Sequence, residues 1–315
     1  MSVSVTDPIG DAFEWTKKVL FRPFKFKKWL VLGFCAFLAS LGEGGCQTNF
    51  NFGGGDGSGA QMEQAFRSAK DWVTANPGLA TGIIAAVIGI GLALFLLLQW
   101  LSSRGKFMFL DGVVENKAAV SDPWYDFKSS GNSLFVLRVG LMAFGFFASL
   151  VVLGACALIA WPDIDAGQFG SNAVIAIFVG LFFLLPLAIG LGIVRALVSD
   201  FAVQVMYRRD IPALDSLRLV WHELVWPNVG TFVLFYLMKF VLGLAAGMLI
   251  FLATCLTCCL AALPYVSSVI FLPVSVFFRS YSVFFLDQFG DPWTILPPEP
   301  EPEDFGQEPP ATPAC

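Results

Sequence analysis

The chain has 315 residues, of which 57% are hydrophobic and only 14% charged, and its mean hydropathy is +0.72. That balance excludes an ordinary soluble domain, where about a quarter of residues are charged. With a net charge of −5, no nucleic-acid partner is expected.

Residues 1–28 read as a cytoplasmic amphipathic segment. Asp7–Leu20 places Ile9, Phe13, Thr16 and Leu20 on one helical face, and the entry tryptophans suit the headgroup level. The first apolar run, 29–41, is short and ends at Gly42-Glu43-Gly44-Gly45. A lipidated Cys46 is not expected, because Glu43 stands where a lipobox needs an aliphatic residue. The first outer loop then carries a Gly/Asn/Ser tract over 49–59 and a short amphipathic helix over 60–73, closed by Asn76-Pro77-Gly78.

A helix needs ~20 mostly apolar residues to cross the hydrocarbon core. The runs at 79–101, 137–161 and 173–197 meet this test. From Thr231 to Leu286 the apolar stretch is too long for one span, and Pro264 divides it into 231–257 and 266–286. The expected fold is therefore all-α: a polytopic bundle of six transmembrane helices, arranged as three hairpins with interfacial amphipathic helices. Residues 29–290 form this membrane domain. The tail, 291–315, carries Pro297-Pro298-Glu299-Pro300-Glu301-Pro302-Glu303-Asp304 and no basic residue. It is expected to be disordered and partly polyproline-like, and it offers a docking segment for a cytosolic protein.

Charge orients the bundle. Lys17, Lys18, Arg22, Lys25, Lys27 and Lys28 precede the first span; Arg104, Lys106, Lys117 and Lys128 lie between the second and third; Arg195, Arg208, Arg209 and Arg218 close the fourth. The opposite loops hold only Arg67 and Lys70. Basic residues are translocated poorly, so both termini are expected in the cytoplasm, in a multi-pass inner-membrane protein.

A unit recurs three times by pattern: an amphipathic entry, a rising span, a returning span and an aromatic exit. The exits are Phe107–Asp111, Phe201–Asp210 and Val283–Asp287, and Asp-Pro-Trp follows at 122–124 and 291–293. The third entry is a helix with Leu214, Leu217, Val220, Trp221, Leu224 and Val225 on its apolar side, and Asp215, Arg218, His222 and Glu223 opposite.

Three cations fall inside apolar runs: Arg138, Lys239 and Arg279. Each costs at least ~2.5 kcal/mol on insertion scales. Arg138, near a span end, reads as snorkelling. Lys239 and Arg279 are the candidate pocket for an anionic lipid headgroup or phosphorylated metabolite, with Asp200, Asp287 or the Asp215 helix as alternative counter-charges. No Asp or Glu stands in mid-span, which disfavours proton coupling, and no catalytic constellation, metal site or cofactor is expected. Cys255, Cys258 and Cys259 read as packing residues, with a Cys46 disulfide left open. The small-residue pairs Ala85/Gly89, Ala188/Gly192 and Gly243/Gly247 are expected to pack the bundle or a homo-oligomer. Pro186 and Pro273 should kink the fourth and sixth spans.

The basic-aromatic entry Arg22-Pro23-Phe24…Lys28-Trp29, the Ser216–Trp221 helix and the closing Arg279-Ser280-Tyr281…Phe289-Gly290 carry a resemblance. They resemble a group of uncharacterised bacterial six-span membrane proteins, themselves similar to the membrane portions of glycerophosphodiester phosphodiesterases. The resemblance implies a membrane bundle over residues 10–290 and no site residue. The expected function is a non-enzymatic membrane module that binds lipid or a protein partner at the inner leaflet. The alternative is a small-solute or lipid transporter working through the kinked spans.

Overall fold

The computed structural model describes residues 3–42, 67–68, 70, 74–165, 167–168, 170–256 and 264–296. All regular structure among them is helical. In chain order these helices are α1 (Asp7–Phe21), α2 (Phe26–Ser40), α3 (Pro77–Val114), α4 (Ser121–Asp126), α5 (Lys128–Asp165) and α6 (Ser171–Leu197). A π-helical turn, Val198–Ala202, joins α6 to α7 (Val203–Arg209). Then α8 (Ala213–Leu219) runs through a second π-turn (Val220–Val225) and a 3₁₀ turn (Trp226–Asn228) into α9 (Val229–Leu256). Two shorter helices, α10 (Pro264–Ile270) and α11 (Leu272–Asp287), close the fold. The outer-loop tract, the expected 60–73 helix as a whole, Cys46, Cys258, Cys259 and the tail beyond Leu296 lie outside the described residues.

Four helical rods are long and apolar enough to cross a membrane: Pro77–Val114, Lys128–Asp165, Ser171–Arg209 and Ala213–Cys255. The expected first and sixth spans are shorter. α2 has 15 residues, a rise of ~22 Å against a hydrocarbon core of ~30 Å. The 266–286 run is interrupted at Phe271 (φ −91°, ψ 14°). Pro273 starts α11 there rather than kinking a continuous helix, since its missing N–H is harmless in a first turn. α6 continues through Pro186 without a break.

The rods have two unlike halves. In α3 every residue from Thr81 to Phe95 is exposed, whereas burial begins at Gln99 and extends to Val114. A helix that is apolar all round and exposed suits lipid. The inner ends instead form a packed core in which Phe107, Leu110, Phe201, Phe235, Tyr281 and Phe285 are fully buried. A second cluster joins Val19, Leu20, Leu32, Cys35, Met108 and Val276 across α1, α2, α3 and α11. Burying each large side chain contributes about 1.5–3 kcal/mol, so stability concentrates at this end.

α2 lies along α3, α5 lies along α6, and α10 packs on α2. α9 reaches α11 through rings at its inner end, with Phe235 stacked on Tyr281 at 4.9 Å. The two Asp-Pro-Trp motifs do share a role: Arg104 lies over Trp124 at 4.9 Å and Arg209 over Trp293 at 4.8 Å.

Both expected entry faces are rotated. α1 packs along α11 and buries Pro8, Ala12, Thr16, Val19 and Leu20, leaving Phe13 53% exposed. Large residues on α11 require a small partner, and Ala12 supplies it; Trp15 meets Phe284 at the edge of this contact. In α8 and its π-turn Ala213, Ser216, Val220, Leu224 and Val225 are buried, so three of the expected apolar residues turn inward, while Leu214 and Trp221 face outward. The wider π-turn carries the buried face at intervals of four residues, and a 3.6-residue reading smears it. The entry tryptophans also serve the protein: Trp15 Nε1 donates to Val113 O at 3.0 Å and Trp29 Nε1 to Leu20 O at 3.1 Å.

The expected small-residue faces are open, with nothing within 4 Å of a Cβ placed on Gly89, Gly192, Gly243 or Gly247. Backbone comes closest to backbone at the inner end, where a Cβ on Gly105 would stand 2.7 Å from Ala39 N and Leu38 C. Backbone cannot yield as a side-chain tip can, so overpacking of about 1–3 kcal/mol outweighs the roughly 1 kcal/mol of helix propensity that alanine gains. Gly105→Ala should therefore lower the unfolding temperature in detergent. Gly91→Ala, with no neighbour within 4 Å, should leave it unchanged or raise it.

Candidate functional site

The inner ends of α3, α5 and α6, with Lys239 of α9, line a half-open cavity of about 1250 Å³. Its floor carries Lys106, Arg138, Arg195 and Lys239, with Asp200 as the one carboxylate in the lining. Its wall climbs along α3 and α5 through Leu92, Phe95, Leu96, Met142, Phe146 and Phe147. From Leu92 to Lys106 is fourteen residues of one helix, a rise of ~21 Å. Charge collects at one end of the cavity and apolar surface lines the rest.

The floor is organised by the π-turn. Val203 N–H bonds to Val198 O, five residues back, not to Ser199 O as an α-helix requires. Ser199 O accepts from Arg279 Nη1 at 2.9 Å. Ser199 Oγ accepts from Lys106 Nζ at 2.8 Å. Asp200 Oδ1 pairs with Lys239 Nζ at 2.5 Å. Cations from α3, α9 and α11 thus end on two consecutive residues. Tyr236, one turn before Lys239, keeps its buried hydroxyl within electrostatic reach of Asp200.

Lys239 and Arg279, the two residues singled out by sequence, also line a smaller cavity of about 180 Å³ behind the π-turn, together with Lys106, Ser199 and Asp200. Of the alternative counter-charges, Asp200 is the one paired with Lys239; Asp215 lies 3.9 Å from Arg218 on an exposed face. Arg138, expected to snorkel, turns inward: its guanidinium donates to Ser102 Oγ and Gly42 O, both at 3.1 Å. Lys106 and Arg195 were absorbed by the topology argument. The sequence signal for Arg195 is its spacing of four from Ser199, which places the two on one helix face.

Among the described residues no group of three or more His, Cys, Asp or Glu could hold a metal ion. Cys35 is buried, Cys156 half-buried and Cys255 exposed, all as free thiols.

A family model covers residues 3–267, most of the chain and nearly all of this site. The chain belongs to a family of unknown function, DUF7544. Arg279 lies beyond the matched residues, while Lys106, Arg138, Arg195, Asp200 and Lys239 fall within them. No curated protein and no solved structure matches the chain.

The Lys239–Asp200 pair is partly shielded, its side chains 25% and 13% exposed. Removing one partner of such a pair strands the other, at a cost of up to about 3–5 kcal/mol when burial is complete and less here. Lys239→Met alone should destabilise the protein by about 1–3 kcal/mol, and Lys239→Met with Asp200→Asn should recover more than half of that loss. Thermal unfolding of the four members of the cycle in one detergent measures it.

Proposed function

We propose that this protein is a non-enzymatic membrane module that binds an anionic amphiphile in the cavity beside the π-turn. The headgroup sits on the cation floor and an acyl chain runs along the apolar wall. The observation that carries this reading is the joining of four cations and a continuous apolar wall in one cavity of about 1250 Å³. Arginine and lysine bind phosphate by charge-assisted hydrogen bonds, and a largely apolar cleft with a few converging polar groups is the usual form of a ligand site.

The reading includes the orientation. The basic residues lie at the ends of the rods that form the packed core, and the positive-inside rule puts that end in the cytoplasm. The packing of α1 on α11 supports an even number of passes, with both ends of the described chain on the cytoplasmic side. α2 ends at Ser40, two residues before Gly42, which lies beside Gln99. The likeness to the membrane portions of glycerophosphodiester phosphodiesterases adds no residue to the site. Transport through two kinked spans has less support, since Pro273 opens a helix instead of bending one.

Native mass spectrometry of delipidated protein tests the proposal, with phosphatidylglycerol or phosphatidylcholine added back at matched acyl chains. Retention of the anionic lipid should exceed that of the zwitterionic lipid by about tenfold, or ~1.4 kcal/mol. Arg195→Gln combined with Lys239→Met/Asp200→Asn should remove most of that preference. Equal retention of both lipids, or an unchanged preference in the folded variant, sinks the proposal.

A further inference from the structure

Seven consecutive residues, Phe21 to Lys27, are exposed in the turn from α1 to α2. Phe21, Phe24 and Phe26 are 50%, 57% and 63% exposed, and they alternate with Arg22, Lys25 and Lys27. No acidic residue occurs between Trp15 and Gly42. The rings of Phe21 and Phe24 stand edge-on to Trp29, each at 5.8 Å. Lys28 fastens the turn from behind, donating to Val19 O at 2.6 Å and to Asn116 Oδ1. Large apolar rings held in the open among cations mark an interaction surface.

A bilayer is the first occupant to weigh, and position argues against it. The run Leu79–Leu101 rises ~34 Å and by itself spans the hydrocarbon core. Asn116, which Lys28 touches, follows the end of α3 at Val114, itself thirteen residues beyond Leu101 and ~20 Å further along the helix axis. The tryptophans beside the turn spend their N–H groups on protein carbonyls.

We propose that the turn Phe21–Lys27 is the docking surface for the chain's own acidic tail, Pro297–Asp304. The chemistry matches on both counts. Glu299, Glu301, Glu303 and Asp304 face Arg22, Lys25 and Lys27, and the intervening prolines lie on the phenylalanine rings, the way proline-rich segments engage aromatic surfaces. The tail starts close by: Leu296 shares a hollow of about 640 Å³ with Glu115, the neighbour of Asn116. Three to eight further residues reach ~10–28 Å. Being tethered raises the local concentration of the tail to the millimolar range, which makes weak contacts sufficient.

Zero-length carbodiimide coupling on the full chain in nanodiscs, followed by peptide mass spectrometry, tests this. Lys25 or Lys27 should couple to Glu299, Glu301, Glu303 or Asp304, within one chain when isotopically light and heavy protein are mixed. The yield should fall severalfold in 0.5 M NaCl, where charges are screened beyond about 4 Å. A chain ending at Leu296 should exchange its amide hydrogens over residues 21–27 about fivefold faster than the full chain. Coupling of the tail elsewhere, coupling only between chains, or equal exchange with and without the tail overturns the proposal. So does protection of 21–27 that follows the phosphatidylglycerol content of the nanodisc instead of the tail, which assigns the surface to lipid. None of these readouts involves the cavity, so this proposal and the lipid-binding one fail separately.

Discussion

Three long side chains from three helices end on Ser199 and Asp200, and the inner half of the molecule is arranged around that meeting. Lys106 reaches it from α3, Lys239 from α9 and Arg279 from α11. An ammonium or guanidinium at the inner end of an apolar rod costs several kcal/mol unless it finds an acceptor. The π-turn meets this requirement by widening one turn of backbone, so that Ser199 O accepts the α11 arginine while its hydroxyl and the next carboxylate take the lysines. Single π-turns inside long helices are frequent at functional sites. Here the turn creates the polar floor and fixes the positions of three elements against one another.

The same constraint explains the division along the rods. Polar groups must be satisfied where they cluster, and so the helices converge, with Gly105 admitting the α2 backbone and aromatic rings filling the space below. Further out, among the described residues, only α5 and α6 stay paired, with Gly180 against Cys156 and Asp163 accepting from Asn172 and Ala173 N. Without a hydrophobic drive between apolar helices in lipid, the outer half of α9 stays apart, and Gly243 and Gly247 stay open.

Helical class and the four long rods were readable from apolar run length, and Lys239 and Arg279 stood out because charge inside such a run is expensive. Arg138 also stood out, yet its inward bonds to Ser102 and Gly42 depend on where α2 ends. Lys106 and Arg195 could not be separated from topology, because a cation at a span end serves orientation and a binding floor equally well. The misjudged faces of α1 and α8 have a common origin: hydrophobicity says which residues prefer burial, not which neighbour's shape receives them. Ala12 and Ser216 are buried because small residues fit against α11 and the Ala202 carbonyl.

The division along the rods carries over to how the protein tolerates change over time. Lipid-facing positions such as Val87, Ile88, Phe182 and Met248 interact with a fluid that has no fixed shape, so one apolar residue there is nearly as good as another. Positions such as Gly105, Ser199 and Phe235 meet fixed neighbours and accept almost nothing else. Relatives should therefore diverge freely along the exposed outer faces of the rods and keep their inner ends, so that likeness between distant members survives in short islands around the π-turn and not along the long apolar helices.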